Sequence, residues 1–262
     1  MPYRIDLHNP PEDALDRLVE LGALDVTSVD DGIAAIIPDA VAATRVAAAL
    51  GREVQVTSAR GRDDGSVWVV EARAVRVGRL EIVPADRPSK AGALRLIDGP
   101  AFGTGLHITT MLCLEALAEE LDARCPDRVL DVGTGSGVLA LAALASGVPR
   151  ALAIDIDAEA VRVATENARV NGLASRLALV HGGPEALAGA WPLVLANVLA
   201  APLIDMAPTL ARRVAGGGRI VLSGIRSSLA TDVERTYRDA GMRLVRAEAR
   251  DGWSALILYA PW

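Results

Sequence analysis

The clearest pattern of apolar and polar positions lies between residues 129 and 157, and it predicts a strand, a glycine turn, a helix and a second strand. The first apolar run, Val129–Val132, is interrupted by Asp131. Glycines follow at three alternate positions, and an Ala/Leu-rich segment leads to a second apolar run that ends at Asp155 and Asp157. This order is typical of a nucleotide-type half-site on a parallel sheet, where glycine allows positive φ and close approach of a ligand. The acid after the second strand is placed to accept hydrogen bonds from a ribose diol.

The chain beyond this stretch continues to alternate helices and strands. Helical spacing predicts helices over 158–172, from after Pro202 through Val214, and over 227–240, and apolar runs predict strands over 177–180, 193–197, 220–223, 244–247 and 255–259. Glycines 216–218 are interpreted as a structural stop for the second helix. The alternation predicts an α/β domain with a mostly parallel sheet, helices on both faces and one antiparallel strand at an edge.

The first 57 residues have a different pattern and are predicted to form a separate small α+β domain. A strand over 3–8, a helix from Pro10-Pro11 to Gly22, strands over 26–29 and 33–37, a helix capped by Asp39 and a strand over 54–57 follow one another. This β-α-β-β-α-β order is that of the ferredoxin-like split arrangement. No catalytic constellation is evident in it, so we expect a substrate-docking role. Residues 58–66 are polar and are predicted to be a linker to a catalytic domain over 67–262.

A second informative segment precedes the glycine turn. Residues 67–77 and 79–83 look extended and 84–99 look loop-like. Residues 100–110 then bring together glycines and polar side chains ahead of an apolar-striped helix; the polar side chains are Thr104, His107, Thr109 and Thr110. Two interpretations stay open: a helix cap by Thr109 or Thr110, or a ligand-contacting loop.

Charge and cysteine content narrow the class of protein. The net charge is −6, which disfavours nonspecific nucleic-acid binding. Residues 1–60 hold ten acids against five arginines, a net −5, which could steer a basic partner or simply be a solvated surface. Two cysteines form no disulfide framework and no metal site. With no signal peptide and no apolar run of membrane-spanning length, we expect a soluble cytoplasmic protein.

The glycine spacing indicates which nucleotide-type ligand is bound. The pattern is DxGxGxG with Asp131 at the strand end, whereas a dinucleotide site has GxGxxG, and a P-loop would carry a lysine. The negative charge of an acid beside the turn disfavours binding of the anionic pyrophosphate group. It favours a cationic ligand with an amino-acid part. The stretch resembles motif I of class I S-adenosylmethionine-dependent methyltransferases. A dehydrogenase, or a glycine turn without a ligand, remains an alternative.

Several further segments extend the resemblance over nearly the whole chain. The sequence resembles the PrmA-type methyltransferases, which modify ribosomal protein L-eleven, in the segments AFGTGLHITT (101–110), LDVGTGSG (130–137), IDID (154–157), ENARVNG (166–172), ANVLAAPL (196–203) and LSGI (222–225). The resemblance implies a seven-stranded Rossmann-like catalytic domain behind a small N-terminal domain. This sequence departs from the family at two points. It has a single tryptophan, Trp68, where the family's linker usually has two, and Ile108 follows His107 where the family often has proline.

The resemblance also implies roles for particular residues. S-adenosylmethionine would be bound by Gly133 and Gly135 through their backbone, by Asp155 through the ribose hydroxyls, and by Thr110. Asn197 would contact the cofactor and orient the incoming amine, as the catalytic residue. Residues 183–185 would border the adenine, and no metal is implied. Asp157 is expected to cap the following helix. His107 either locks its loop or lines the site, whereas His8 and His181 are interpreted as having no role.

The predicted function is methylation of lysine ε-amines and the N-terminal α-amine of a large-subunit ribosomal protein, L-eleven. The partner would be a basic protein, with no membrane and no direct nucleic-acid binding. Two alternatives remain: lysine methylation of another protein, and a non-catalytic module that binds S-adenosylmethionine.

Overall fold

The computed structural model describes residues 2–11, 13–29, 32–58, 74–86, 92–97 and 107–262. The chain divides into two compact units, Met1–Glu71 and Ala72–Trp262. The predicted linker over 58–66 lies outside the described residues except for Ser58.

The smaller unit is a four-stranded sheet with two helices. Its elements are β1 (Tyr3–His8), α1 (Ala14–Glu20), β2 (Asp25–Val29), β3 (Gly32–Ile37), α2 (Ala43–Leu50) and β4 (Gln55–Ser58). The strand order is β2-β3-β1-β4, and each neighbouring pair is antiparallel. Alternate residues of β1 and β3 pack with the helices because side chains of a strand point to opposite faces in turn. The core contains Ile5, Leu7, Leu18, Ala35, Ile37 and Val46.

Both helices of this unit are shorter than predicted. The prediction that Asp39 caps the second helix is wrong, since α2 begins at Ala43 with Ala42 as its N-cap and no side-chain cap. The first helix starts at Ala14, after the Pro10-Pro11 pair. Gly22 follows it with φ +79°, a conformation in which glycine is favoured.

The larger unit begins with a small three-stranded sheet. Strand β5 (Val75–Val77) pairs antiparallel with β6 (Leu80–Pro84), which pairs parallel with β7 (Leu94–Leu96). The prediction of a loop throughout 84–99 is wrong at β7. Leu94 and Leu96 are both buried there, in the same core as the helices of the main sheet. Proline and glycine on either side of this three-residue strand concealed its apolar alternation.

The main sheet and its helices make up the rest of the larger unit. The elements are α3 (Ile108–Ala123), β8 (Arg128–Val132), α4 (Val138–Ala145), β9 (Arg150–Asp155), α5 (Ala158–Val170), β10 (Leu177–His181), β11 (Trp191–Asn197), α6 (Ala200–Arg213), β12 (Val214–Arg226), α7 (Ala230–Asp239), β13 (Arg243–Arg250) and β14 (Trp253–Tyr259), with short 3-10 turns at Pro184–Ala186 and Ser227–Leu229. The order is β10-β9-β8-β11-β12-β14-β13. Strand β14 runs antiparallel to both neighbours. The predicted α/β architecture with a mixed sheet is therefore confirmed, but the predicted position of its antiparallel strand is wrong. That strand is β14, which lies between β12 and β13, so β13 is the edge strand.

The central strands are buried on both faces, as expected when helices cover a sheet on both sides. Successive residues of β8, Val129 and Leu130, belong to two different apolar clusters, and so do Leu193 and Val194 of β11. Near-continuous apolar runs thus mark these strands in the sequence.

The prediction that glycines 216–218 stop a helix is wrong. Helix α6 already ends at Arg213, and the glycines lie within β12. They coincide with an irregularity at which the β11–β12 register shifts between Trp191 and Leu193. A Cβ on Gly216 would lie 2.4 Å from the carbonyl oxygen of Trp262, so tertiary packing of the C-terminus requires glycine there.

Candidate active site

The predicted site residues converge at one edge of the main sheet. In the parallel register, Ala196 pairs with Val132, and Val132 pairs with Ile154. The next residue on each strand is Asn197, Gly133 and Asp155. Neighbouring strands are about 4.8 Å apart, so these three residues form a row across the carboxyl ends of β11, β8 and β9. Ligands of open α/β sheets bind at this edge, where the order of strands reverses.

The glycine turn between β8 and α4 has the backbone conformation that the sequence predicted. Gly133, Gly135 and Gly137 have φ values of +69°, +53° and +84°. The N–H groups of Gly133 and Thr134 both donate to the carbonyl of Ile154, at 2.9 and 3.0 Å. A Cβ on Gly133 would lie 2.3 Å from Cγ1 of Val198, so close packing as well as φ requires glycine there.

Asp155 is fixed by backbone donors on both sides. Its Oδ2 accepts from the N–H of Gly135 at 2.9 Å, and its Oδ1 accepts from the N–H of Asp157 at 3.0 Å. Each carboxylate oxygen has a second lone pair with which it can accept from a ligand hydroxyl. Asp157 caps α5 through its bond from Glu159 N–H at 2.8 Å, which confirms the predicted cap.

Asp131 is a buried acid directly beneath the glycine turn. Its Oδ2 accepts from Thr134 Oγ1 at 2.6 Å and from the N–H of Ala140 at 3.1 Å. Burial raises the pKa of this carboxyl from 3.8 to about 6, although both hydrogen bonds oppose the rise, and the charge of Asp155 adds to it. Its Oδ1 is buried without a hydrogen-bond donor among the described residues.

Asn197 and Thr110 meet although they are 87 positions apart in the chain. Asn197 Nδ2 donates to Thr110 Oγ1 at 3.2 Å, and Ser223 Oγ donates to the carbonyl of Thr109 at 2.9 Å. These bonds tie the N-terminus of α3 to the ends of β11 and β12. Asn197 Oδ1 is buried and accepts no hydrogen bond from the described part of the chain. Among the described residues, this buried amide oxygen therefore keeps its capacity to accept a hydrogen bond.

His107 is the N-cap of α3, so the expectation of a cap by Thr109 or Thr110 is wrong. Its Nδ1 accepts from the N–H of Thr109 at 3.4 Å and lies 2.8 Å from Thr109 Oγ1. Burial, and then the charge of Arg226, lower the pKa of this imidazole to about 4, which keeps it neutral and able to accept. Its ring meets the ring of Trp253 edge-on at 5.3 Å, and Arg226 lies 3.8 Å over the face of that indole.

Residues 101–106, including Thr104, lie outside the described residues, as does Trp68. Residues 183–185 lie beside Asp155, since Gly182 N–H donates to the Asp155 carbonyl at 2.8 Å and a 3-10 turn follows over Pro184–Ala186. His181 Nε2 lies 2.9 Å from the Ile156 carbonyl oxygen. The described residues contain no cluster suited to a metal ion.

Sequence reasoning missed Ile156, which lies between the two acids after β9. Ile156 is 79% exposed and therefore presents an apolar surface beside the candidate site. The signal was present in the sequence, because an isoleucine alternating with aspartates at a strand end cannot belong to the sheet core.

Comparison with known proteins identifies the family. The model of the family described as ribosomal protein L11 methyltransferase (PrmA) matches residues 13–260. The chain belongs to this family. The resemblance seen in the sequence is thereby confirmed.

Individual relatives agree. The chain is 41% identical over 216 residues to a ribosomal protein L11 methyltransferase of Chromohalobacter salexigens, covering 80% of this chain and 71% of that protein. It is 43% identical over 207 residues to one of Geobacter sulfurreducens, covering 77% and 68%. A crystal structure of ribosomal protein L11 methylase from Lactobacillus delbrueckii subsp. bulgaricus superposes with a TM-score of 0.66 at 30% identity, covering 71% of this chain and 97% of that one. Within the described residues, no helix is long and apolar enough to span a membrane.

Proposed function

We propose that this PrmA-family chain transfers methyl groups from S-adenosylmethionine to lysine ε-amines and the N-terminal α-amine of ribosomal protein L11. The observation that carries the proposal is the row of Asp155, Gly133 and Asn197. At the end of this row, Asn197 Oδ1 is buried and accepts no hydrogen bond from the described residues. The strand order with one antiparallel strand supports a Rossmann-like methyltransferase sheet.

The residues present fit S-adenosylmethionine. Asp155 accepts from the ribose hydroxyls, and exposed Ile156 offers an apolar surface to the base. Gly133 and Gly135 leave the backbone bare for the methionine part. Asp131 Oδ1 lies beneath the turn as a buried acceptor to which no described residue donates, and its carboxylate would favour a cationic amino-acid group. The bound cofactor supplies an electrophilic methyl group on a sulfonium cation.

Asn197 orients the nucleophile. Because its Nδ2 is bound to Thr110 Oγ1, its Oδ1 is the atom directed at a substrate N–H. The attacking amine must be neutral, which at pH 7 costs about 4–5 kcal/mol for lysine and about 1 kcal/mol for an α-amine. Acceptors such as Asn197 Oδ1 align the amine, and water takes the proton. Alignment of this kind is worth about 7–11 kcal/mol of barrier.

The test measures transfer from labelled S-adenosylmethionine to purified ribosomal protein L11, with mass spectrometry of the product. Asn197→Ala should lower turnover on the order of a hundredfold and leave cofactor affinity within a fewfold, because the lost acceptor acts on the amine. Thr110→Val keeps Asn197 Oδ1 but removes its tether, so it should have a smaller effect. Unchanged turnover in Asn197→Ala would refute the role of this residue. Labelling of some other protein in lysate, with none on L11, would instead favour the alternative substrate.

We further propose that the smaller unit is a ferredoxin-like docking module for the basic protein substrate. Its strand order and antiparallel pairing support that fold, and its acidic charge supports attraction of a basic partner. Glu20→Lys with Glu53→Lys, both exposed, should lower kcat/KM for the protein substrate but not for a free lysine peptide. Asp122→Lys with Asp239→Lys, exposed on the larger unit, is the matched control. Equal losses in both pairs would count against docking by the smaller unit.

A further inference from the structure

Asn167 is a buried amide of α5 whose hydrogen bonds run to two other segments. Its Oδ1 accepts from the N–H of Ile97 at 2.7 Å, and its Nδ2 donates to the carbonyl of Ser136 at 2.8 Å. The residue has 0% exposure. Ile97 directly follows β7, whereas Ser136 lies in the glycine turn. One side chain therefore joins the small sheet to the turn of the candidate site.

Ser136 lies just before α4, so its carbonyl takes no part in the helix. The N-cap of α4 is Gly137, and the first bond of the helix runs from the N–H of Leu141 to the Gly137 carbonyl at 2.9 Å. The Ala140 N–H donates to Asp131 Oδ2. Two buried side chains from different elements thus bond to residues of the turn, Asp131 to Thr134 and Asn167 to Ser136. A Cβ on Gly137 would lie 3.1 Å from that of Ala164, so α5 also packs closely against the turn.

Asn171, one helical turn further on, bonds to Arg95 within β7 itself. Its Oδ1 accepts from the N–H of Arg95 at 2.8 Å, and its Nδ2 donates to the carbonyls of Arg95 at 2.6 Å and Asn167 at 2.7 Å. Asn171 therefore fastens β7 to α5, and the bond from Asn167 to Ser136 extends that attachment to the glycine turn. The two asparagines of the ENARVNG segment have separable tasks.

We propose that Asn167 is a positioning residue for methyl transfer, which fixes the backbone of the glycine turn through Ser136 and ties it to β7. The identity of the ligand rests on the proposed function. The link that Asn167 makes between Ser136 and Ile97 does not depend on that function. Removing the amide takes away the acceptor of the Ile97 N–H and the Asn167 donor of the Ser136 carbonyl, and the loss of such bonds is relieved by local rearrangement or entry of water. The turn that presents Gly133 and Gly135 to the ligand then loses its fixed geometry.

The experiment compares Asn167→Ala with the matched control Asn171→Ala in the full chain. Backbone hydrogen exchange is measured over 94–97 and 133–137, and S-adenosylmethionine affinity by calorimetry. KM for S-adenosylmethionine and kcat are measured at a saturating concentration of the protein substrate. Asn167→Asp serves as a second variant, since it is isosteric and keeps an acceptor for Ile97 but loses the donor to Ser136.

Asn167→Ala should speed exchange in both segments and raise the Kd and KM for S-adenosylmethionine about tenfold, with a smaller effect on kcat at saturation. Asn171→Ala should speed exchange over 94–97 and leave 133–137 protected. Unchanged exchange over 133–137 in Asn167→Ala, or equal effects of the two alanine variants there, would overturn the link. Should that variant not fold, Asn167→Asp decides by the same exchange criterion. Failure of the wild type to bind S-adenosylmethionine would count against the proposed function, while exchange would still decide the link.

Discussion

Replacement of Asp131 by asparagine tests the electrostatics beneath the glycine turn. The wild-type carboxylate is buried with Oδ2 bonded to Thr134 and Ala140 and Oδ1 without a donor among the described residues. An asparagine oxygen can accept the same two bonds. The substitution therefore preserves the local geometry and removes the titrating proton.

The magnitude follows from the pKa, which burial raises from 3.8 to about 6. Below 3.8 both the folded and the unfolded chain hold the proton. As pH rises toward 6 the unfolded chain releases it and the folded chain does not, so the free energy of unfolding falls. Above the folded pKa the loss is complete and amounts to about 3 kcal/mol, at 1.36 kcal/mol per pKa unit. In the Asp131→Asn variant, residue 131 does not titrate, so it makes no such contribution to the decrease in the free energy of unfolding.

Urea unfolding followed by tryptophan fluorescence measures the effect, because Trp191, Trp253 and Trp262 all lie in the larger unit. The free energy of unfolding of the wild type, minus that of Asp131→Asn, should fall by about 3 kcal/mol between about pH 3.5 and about pH 7. Taking the difference cancels the titration of every group that the two proteins share. A difference that stays constant over this range would refute the raised pKa.

A cationic ligand beside Asp131 favours the carboxylate. The affinity of the wild type for S-adenosylmethionine should therefore increase as pH rises through about 6, and calorimetry at several pH values should find no such increase for Asp131→Asn. A pH-independent wild-type affinity would place the positive charge of the ligand away from this acid.

Three further substitutions test neighbouring features. Gly133→Ala should cost about 1–2 kcal/mol for its left-handed backbone alone, and more because its Cβ meets Val198; urea unfolding and calorimetry should show lower stability together with weaker cofactor binding. His107→Asn keeps a capping acceptor for Thr109 and removes the imidazole. The pKa of that imidazole is lowered from 6.5 to about 4, so the free energy of unfolding of the wild type should decrease relative to that of the variant as pH falls from 6.5 to about 4. Urea unfolding that gives the same pH dependence for both proteins would contradict this. Asp157→Ala should cost about 1 kcal/mol through loss of the cap and leave S-adenosylmethionine affinity unchanged in calorimetry, whereas a large loss of affinity would assign it a ligand contact.

Local backbone requirements made much of the fold and the site predictable. A glycine turn needs positive φ, strands covered on both faces need continuous apolar runs, and an acid one residue before a helix tends to cap it. Each requirement involves residues close in the chain. The strand–turn–helix–strand unit over 129–157 and the cap at Asp157 follow from such rules, and the structure confirms both.

Predictions that depended on distant partners were wrong or absent. Glycines 216–218 were predicted to stop a helix because the sequence does not show that Gly216 packs against the distant carbonyl of Trp262. His107, and not one of the threonines, caps α3. Its imidazole is neutral because of burial and because of the charge of Arg226, which is 119 positions later in the chain. The three-residue strand β7 exists because α4 and α5 bury its leucines.

The sequence by itself predicted the glycine turn and Asp155 from strand ends and short-range spacing, and it predicted Asn197 through the resemblance to the PrmA-type methyltransferases. Only the tertiary structure decided how they act together. Parallel register sets Asn197, Gly133 and Asp155 in one row, the N-terminus of α3 brings Thr110 to Asn197, and α5 brings Asn167 to Ser136. Hydrogen bonds between side chains so far apart in the chain depend on the packing of whole elements, which no local pattern of residues encodes.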